Sequence, residues 1–347
     1  MMKVLFITEI LNPPYDEGIK KTVYNLFLNL DENYELQVIC RYGFHKDNIH
    51  IVDTNPLFFS KKVKSIISEF KPDSLLYLPF QSSTFASYLR LKIISSFAKH
   101  SKINLIALQP KPLKKWQKWI VKYIKPEFAL TPSPSLNKFW DQINVKNELI
   151  PLLTDLSIFR PLQDRKAKRA LREKYGIPID SFIVSHMGHL NEGRNLKSLF
   201  PLQKEGTQVV IVSSSSTPED AIGTNLLRQE ILDSGILIID RFIEHIEEIY
   251  QLSDLYIFPV VEENSSIGMP LSILEARACG VPVLTSEYGS VKHFLDNDYG
   301  GIFYSQPENF FSTFKENKRM FDSQFIKTDV LELNTIFFNT INNKINQ

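Results

Sequence analysis

The sequence predicts an α/β protein made of two doubly wound domains, each with a parallel sheet covered by helices. Short apolar runs typical of buried strands alternate with longer helical patterns along the whole chain, which favours parallel sheets. The chain has 347 residues, about twice the size of an ordinary domain. A hydrophobic content of 43% is sufficient for two cores. We expect the boundary between the two domains near Asp155.

The overall composition excludes several classes of protein. A net charge of +1 argues against a general nucleic-acid binder. Cys40 and Cys279 match no disulfide or metal-binding pattern, so we expect two buried, reduced thiols and no metal. No apolar run approaches the ~20 residues that span a bilayer, and the run at residues 4–7 is too short for a signal peptide. These features predict a cytoplasmic protein.

The first domain opens with a strand at residues 3–8, a turn-rich loop and a helix that follows Gly18. This order is typical of the first βαβ unit of a doubly wound sheet, in which ligands bind after the carboxyl ends of strands. The loop lacks a G-x-G-x-x-G pattern, so a nicotinamide or flavin site is not indicated. Further strands are predicted at residues 35–40, 50–52, 74–78, 103–108, 128–131 and 148–151, and helices at residues 60–70 and 84–99.

Residues 111–125 form the most basic stretch of the chain, with six lysines and no acidic residue. At helical spacing Trp116, Trp119, Ile120 and Tyr123 share one side, and the lysines flank them. One interpretation is an interfacial helix that contacts an anionic membrane at the inner face, with its rings at headgroup depth. The other is a helix whose aromatic stripe packs on its own sheet and leaves its lysines in solvent.

The second domain is predicted to begin with a charged helix at residues 165–175, whose charges we expect in solvent. A strand at residues 182–186 follows, and the loop after it contains Gly188, His189 and Arg194. Further strands are predicted at residues 208–212, 236–239, 255–261, 281–285 and 301–304, with a terminal helix at about 328–347.

The strand, loop, helix and strand between residues 255 and 285 are the most informative stretch. The loop is small and polar, and the helix after it ends at Gly280, a usual stop. A loop before a helix N-terminus presents backbone N–H groups and the positive end of the helix dipole, which suits a phosphate. Glu275 lies about one and a half turns into the helix, on the side that could reach a ligand in the loop. An ordinary βαβ unit with a solvated Glu is the alternative.

Residues 270–283, PLSILEARACGVPV, closely resemble the donor-site signature of retaining glycosyltransferases of family 4, in the glycosyl transferases group 1, which have the GT-B fold. The resemblance implies that Glu275 binds the ribose of a sugar nucleotide. The family usually has a second Glu eight positions earlier, beside the donor hexose; here Ile267 holds that position, and Glu262 and Glu263 are the nearest acids upstream. We expect the donor to contact the loop and helix start at Ser266, Gly268, Met269, Pro270 and Leu271.

Other segments resemble further parts of the same family. Gly188, His189 and Arg194 resemble its Gly-Arg…Lys element, whose two cations clamp the donor diphosphate; His189 stands for the Arg and Arg194 for the Lys. An Arg retains that chemistry because it binds phosphate bidentately. Residues 240–250 resemble the base-binding turn, with Phe242 near the base. The Glu17-Gly18 pair occupies the place of the Gly-Gly pair in the first loop.

The resemblance therefore implies a GT-B glycosyltransferase with domains at residues 1–155 and 156–327 and a terminal helix that packs back on the first domain. The implied donor is a UDP- or GDP-linked sugar, and the acceptor is a glycan or a lipid-linked molecule. Arg194, Glu263 and Glu275 are the expected catalytic residues, with no cofactor or metal, because Arg194 and the helix start carry the charge of the leaving diphosphate. An epimerase or phosphorylase on the same fold, or an inactive binding subunit, remains an alternative.

Overall fold

The computed structural model describes residues 1–204, 206–213, 221–295, 300–321 and 329–346. It divides into two compact units. The first unit comprises residues 1–153, residues 267–269 and the chain from Asn334 onward, and the second comprises residues 154–266 and 270–333. The predicted domain end at residue 327 and the outer limits of the predicted terminal helix, 328 and 347, lie outside the described residues.

The first unit alternates strands with helices, as its sequence predicts. Its strands are Lys3–Ile7 (β1), Ile10–Leu11 (β2), Glu35–Cys40 (β3), Tyr42–Gly43 (β4), Ile49–Ile51 (β5), Ser74–Tyr77 (β6), Lys102–Ile106 (β7), Phe128–Thr131 (β8) and Lys146–Leu149 (β9). Its helices are Gly18–Asn33 (α1), Lys61–Phe70 (α2), Phe85–Phe97 (α3), Lys115–Val121 (α4) and Pro134–Gln142 (α5).

Seven of these strands form one parallel sheet in the order β5-β3-β1-β6-β7-β8-β9. Its strands are apolar on both faces because helices cover both, so Leu5, Ile7 and Leu75 are fully buried. All the carboxyl ends of the strands meet at one edge, which therefore collects the loops that follow β1, β6, β7 and β8.

The second unit repeats the same architecture. Its strands are Phe182–Met187 (β10), Thr207–Ser213 (β11), Leu237–Asp240 (β12), Leu255–Phe258 (β13), Val283–Thr285 (β14) and Ile302–Tyr304 (β15). Its helices are Arg165–Tyr175 (α6), Ala221–Asp233 (α7), Glu247–Leu252 (α8), Leu271–Ala278 (α9), Val291–Phe294 (α10) and Phe310–Phe321 (α11). The parallel sheet has the order β12-β11-β10-β13-β14-β15, so β10 and β13 are central neighbours.

The last helix, Val330–Asn346 (α12), begins in the second unit and continues in the first. Within the first unit Asn342 accepts a hydrogen bond from the Tyr34 hydroxyl at 3.0 Å. Lys344 forms an ion pair with Glu148 at 3.1 Å. No helix in the described part of the chain is long and apolar enough to cross a membrane.

Two sequence predictions need correction or completion here. The face of α6 is not simply solvated: Arg172 is buried and donates to the Asp254 carboxylate at 2.6 Å, and Lys168 contacts the same carboxylate at 2.6 Å. A buried guanidinium needs such a partner because an unpaired charge is costly away from water. Cys40 and Cys279 are buried free thiols, as predicted, and burial raises the pKa of the Cys40 thiol to about 12.

Candidate functional site

The loop after β10 places Arg194 beside the carboxyl end of a central strand. The chain leaves the sheet at Gly188 and forms a short 3-10 turn at Glu192–Arg194. A Cβ atom on Gly188 would lie 3.2 Å from the Arg194 Nη1 atom and 3.1 Å from the His186 Nε2 atom. The guanidinium therefore lies against the bare backbone of Gly188, which explains why a glycine suits this position. His189 follows Gly188 and is half-buried.

A second loop, between β13 and α9, lies against this turn. Its 3-10 turn at Glu263–Ser265 contacts the Gly193 backbone so closely that a Cβ atom on Gly193 would lie 2.2 Å from the Ser265 Oγ atom. Because β10 and β13 are neighbours in a parallel sheet, their following loops emerge side by side. The structure thus brings Gly188, Arg194 and the Glu263–Ser266 segment together in the second unit.

The buried Tyr288 hydroxyl holds the second loop in place. It accepts the Ser266 backbone N–H at 3.1 Å, and it lies 2.9 Å from the Glu263 carbonyl oxygen and 2.7 Å from the Ser266 carbonyl oxygen, to either of which it can donate. Burial raises the pKa of Tyr288, so the hydroxyl keeps its proton for this role. The Glu263 side chain is exposed and Ser266 is half-buried. Sequence reasoning missed Tyr288, because its loop partners lie far away along the chain.

Glu275 is a buried side chain of α9 that already has a hydrogen-bond partner. It is 2% exposed within α9, and its Oε2 atom accepts a hydrogen bond from the Tyr250 hydroxyl at 2.7 Å. Burial and the nearby Glu275 charge raise the pKa of Tyr250, which therefore stays a donor. The alternative of a solvated Glu is therefore wrong. The prediction that Glu275 binds a ribose now requires that the ribose reach a carboxylate that Tyr250 already orients.

The predicted phosphate cradle at the start of α9 is only partly available. The Gly268 N–H donates to the Leu108 carbonyl oxygen at 2.7 Å, and the Met269 Sδ atom accepts the Leu152 N–H at 3.2 Å. Pro270 has no N–H to offer and serves as the N-cap residue of α9, and Leu271 is buried at its first position. The Gly268 N–H is therefore already engaged, and Pro270 has none to offer to a phosphate.

Two other predicted residues lie at different places. Phe242 stands in the loop before α8 with 59% of its surface exposed, where its ring is available for stacking on a base. Gly18 is the first residue of α1 in the first unit, whereas the sequence predicts it as the last residue of the preceding loop.

His186 is a further residue that sequence reasoning did not single out. It is fully buried at the end of β10, and its Nδ1 atom is 2.9 Å from the Ile257 carbonyl oxygen. Burial, with a smaller contribution from the Arg194 charge, lowers the pKa of His186 to about 3. The imidazole is therefore neutral, and it underlies Gly188 and Arg194 without competing for an anion. Among the described residues no group of three or more His, Cys, Asp or Glu could hold a metal ion.

In the first unit a polar cluster follows β1 and β6. The Glu9 carboxylate accepts the Tyr77 hydroxyl at 2.8 Å and the Phe80 N–H at 2.6 Å, and it forms an ion pair with the buried Arg90. The Thr8-Glu9 pair at the end of the first apolar strand was the available signal in the sequence. These bonds tie together the loops at the carboxyl edge of the first sheet.

The part of the chain that matches a known sequence family lies mostly in the second unit. Residues 192–316 match the sequence model of the family described as Glycosyl transferases group 1. This segment contains Arg194, Phe242, Glu263 and Glu275.

Two relatives illustrate the sequence similarity. The chain is 30% identical over 173 residues to a D-inositol 3-phosphate glycosyltransferase of Xylanimonas cellulosilytica, covering 47% of this chain and 39% of that one. It is 26% identical over 255 residues to the putative glycosyltransferase EpsF of Bacillus subtilis, covering 68% and 63%. The chain thus spans less than two thirds of the length of either relative.

Solved structures resemble the whole chain. The Anabaena protein HepE in complex with UDP-glucose has a TM-score of 0.74 at 16% identity, with 99% of this chain and 98% of that chain covered. The catalytic domain of starch synthase IV from Arabidopsis thaliana, bound to ADP and acarbose, has a TM-score of 0.73 at 14% identity, and both chains are covered completely at 100%. The fold is GT-B, with two parallel sheets of the Rossmann type, as the sequence predicts.

Proposed function

Because residues 192–316 match the sequence model of the Glycosyl transferases group 1 family, we propose that this protein transfers a sugar from a nucleotide-sugar donor to an acceptor hydroxyl with retention of configuration. The observation that carries the proposal is the Arg194 guanidinium resting on the Gly188 backbone, beside the Glu263–Ser266 loop. This is a cation at the carboxyl edge of a parallel sheet, where doubly wound folds bind nucleotides. The retaining outcome rests on the resemblance of residues 270–283 to family 4.

We assign the residues as follows. Arg194 binds the donor diphosphate bidentately, and His189 and Ser266 flank it. As the bond between the anomeric carbon and the diphosphate breaks, negative charge develops on the leaving group and Arg194 stabilises it, so the proposal requires no metal or cofactor. Glu275, oriented by Tyr250, accepts hydrogen bonds from the ribose hydroxyls. Phe242 stacks on the base.

Glu263 is the acid that we place near the transferred sugar, because it is exposed on the loop that contacts the Arg194 turn. The donor is a UDP- or GDP-linked sugar. UDP-glucose is the first candidate to try, since HepE, of the same fold, was solved with it.

An inactive nucleotide-binding subunit is the second candidate. Ile267, which occupies the position of the hexose-binding Glu in family 4, is buried within the first unit and offers no hydrogen bond to a sugar. Both candidates predict that UDP or GDP raises the melting temperature, since a ligand stabilises the state that binds it. Release of UDP from UDP-glucose at a rate that Arg194→Ala reduces supports the transferase. Stabilisation by nucleotide without any turnover of a panel of sugar nucleotides supports the inactive subunit.

We also propose that residues 111–125 contact an anionic membrane, which brings the protein to a lipid-linked acceptor. The alternative, an aromatic stripe packed on its own sheet, is wrong: Trp116 is 53% exposed, Trp119 61% and Tyr123 67%. Exposed rings among lysines are the make-up of an interfacial segment. The helix itself covers only Lys115–Val121, and it begins where the Lys114 N–H donates to the Gln117 side-chain oxygen at 2.7 Å.

Vesicle binding tests this contact. We expect co-sedimentation with phosphatidylglycerol vesicles and not with phosphatidylcholine vesicles, weakening as salt is raised. Changing Lys114, Lys115 and Lys118 to Glu should abolish it. Equal binding to both lipids, or to neither, would contradict the proposal.

A further inference from the structure

A cavity of about 170 Å³ lies in the first unit beside α4. Two lysines of the basic stretch, Lys111 and Lys118, form part of its wall together with the hydroxyl residues Ser83 and Ser135. No acidic residue is among those that line it in the part of the chain that the structure describes. The charged residues of the cavity wall are therefore both positive, which suits an anion.

The position of the cavity in the fold is that of a ligand site. Ser83 comes after β6, Lys111 after β7 and Ser135 after β8, and these three strands are consecutive neighbours in the parallel sheet. Ligands of such sheets bind at this edge. The Ser83 hydroxyl donates to the Gln109 carbonyl oxygen at 2.9 Å and accepts the Lys111 N–H at 3.0 Å, so the segment that carries Lys111 is held in place.

Helix ends add to the positive potential. Ser135 is the second residue of α5, and Ser83 lies two positions before the first residue of α3. Both helices therefore begin near the cavity wall, and the positive ends of their dipoles favour an anion there.

The rest of the cavity wall is mostly apolar, so we expect a ligand with an apolar part beside its anionic group. Leu113, Leu136 and Phe139 also line the cavity. Tyr88 lines it too, and its hydroxyl accepts the Trp140 indole N–H at 2.9 Å, which leaves the hydroxyl proton available for donation. A free phosphate would leave the apolar wall without a partner, whereas an amphiphile fills both parts.

We propose that this cavity binds the phosphate group of an amphiphilic lipid, presented at a membrane surface that Trp116 and Trp119 of α4 contact. Lys111 and Lys118 pair with the phosphate, and the apolar wall packs on the first carbons of the lipid. That this lipid is also the sugar acceptor rests on the proposed transferase function, whereas the binding itself does not.

The test uses the full chain without nucleotide, with hexyl phosphate as a water-soluble probe and inorganic phosphate as the free anion. Calorimetric titration of Lys111→Gln/Lys118→Gln is compared with Lys115→Gln/Lys122→Gln, a matched pair that removes the same charge from the same stretch outside the cavity wall. We expect the cavity pair to weaken hexyl phosphate binding at least about tenfold and the control pair less than about twofold, because paired charges act at short range.

A second variant distinguishes loss of binding from loss of folding. Ser135→Asp places a carboxylate in the first turn of α5, where the helix dipole favours it, but repels a phosphate in the cavity. We expect a melting temperature no lower than that of the wild type and binding of hexyl phosphate weakened at least about tenfold.

Three outcomes overturn the proposal: equal weakening in both lysine pairs, inorganic phosphate bound as tightly as hexyl phosphate, or no binding of hexyl phosphate by the wild type. Selective loss in the cavity pair, with reduced binding to phosphatidylglycerol vesicles, supports it. Failure to turn over any sugar nucleotide would reject the proposed transferase and leave these binding results unaffected, so the two failures are distinguishable.

Discussion

Removal of the Arg194 guanidinium is the perturbation that separates the phosphate part of the donor site from the nucleoside part. The guanidinium lies on the Gly188 backbone, half-buried, at the carboxyl end of β10. A charge-assisted hydrogen bond from such a group contributes about 2 kcal/mol. Arg194→Ala should therefore raise the Kd for UDP about thirtyfold and leave the Kd for uridine unchanged, since uridine has no phosphate.

Isothermal titration of both ligands measures the effect directly. Lys197→Ala is the matched control: it removes one positive charge three residues further along, from a side chain that is exposed and ion-paired with Glu230 at 2.6 Å. It should change the Kd for UDP less than about twofold, because solvent and salt screen an exposed charge.

A milder change probes the same contact. In Gly188→Ala the new Cβ atom would lie 3.2 Å from Nη1 of Arg194, so the guanidinium must move by a few tenths of an ångström. We expect the Kd for UDP to rise about threefold to tenfold, which is less than the rise expected for Arg194→Ala. If Arg194→Ala weakened the binding of uridine and UDP equally, or left the binding of UDP unchanged, the phosphates would lie elsewhere and the assignment of Arg194 would be refuted.

Three further predictions concern the support of the site. Tyr288→Phe should lower the free energy of unfolding by about 1–2 kcal/mol in urea titrations and raise the Kd for UDP, because the Tyr288 hydroxyl holds the Glu263–Ser266 loop. An unchanged free energy of unfolding and an unchanged Kd would contradict this. Tyr250→Phe should lower the free energy of unfolding by about 1.5–3 kcal/mol, since it deprives the buried Glu275 of a hydrogen-bond donor. Tyr175 is half-buried, so Tyr175→Phe should lower it by less than about 1 kcal/mol. In the wild type, stability should fall as pH drops below about 6.5 toward 3, because the unfolded chain protonates His186 before the folded one does; in His186→Gln that part of the slope should disappear.

The elements with local signals could be predicted from the sequence. The helix α9 ends at Ala278, and Gly280, with φ at +79°, stops it where the sequence predicts. The strand β8 and the helix α6 have the predicted bounds. Apolar periodicity and stop residues depend on neighbours within a few positions, so a single sequence contains this information.

The contacts of the candidate site could not be predicted in the same way. The Glu275 carboxylate accepts a hydrogen bond from Tyr250 of another helix, a partner that the spacing within α9 does not indicate. The Gly268 N–H was expected to be open, yet it bonds to the Leu108 carbonyl oxygen. Each partner is remote in sequence, and which atoms meet is decided by how the elements pack. Residue type and spacing alone do not contain that choice.

The close approach of Gly193 and Ser265 has a consequence for how this sequence can vary. The Ser265 Oγ atom occupies the space that a side chain at position 193 would need, so Gly193 cannot gain a side chain unless Ser265 rotates its hydroxyl away or is replaced. Alanine at 193 should therefore be tolerated better when glycine or alanine stands at 265 than when serine does, because the nearest obstructing atom is then absent. The effect of a substitution at 193 depends on the residue at 265, and a library that varies the two positions jointly would reveal this coupling.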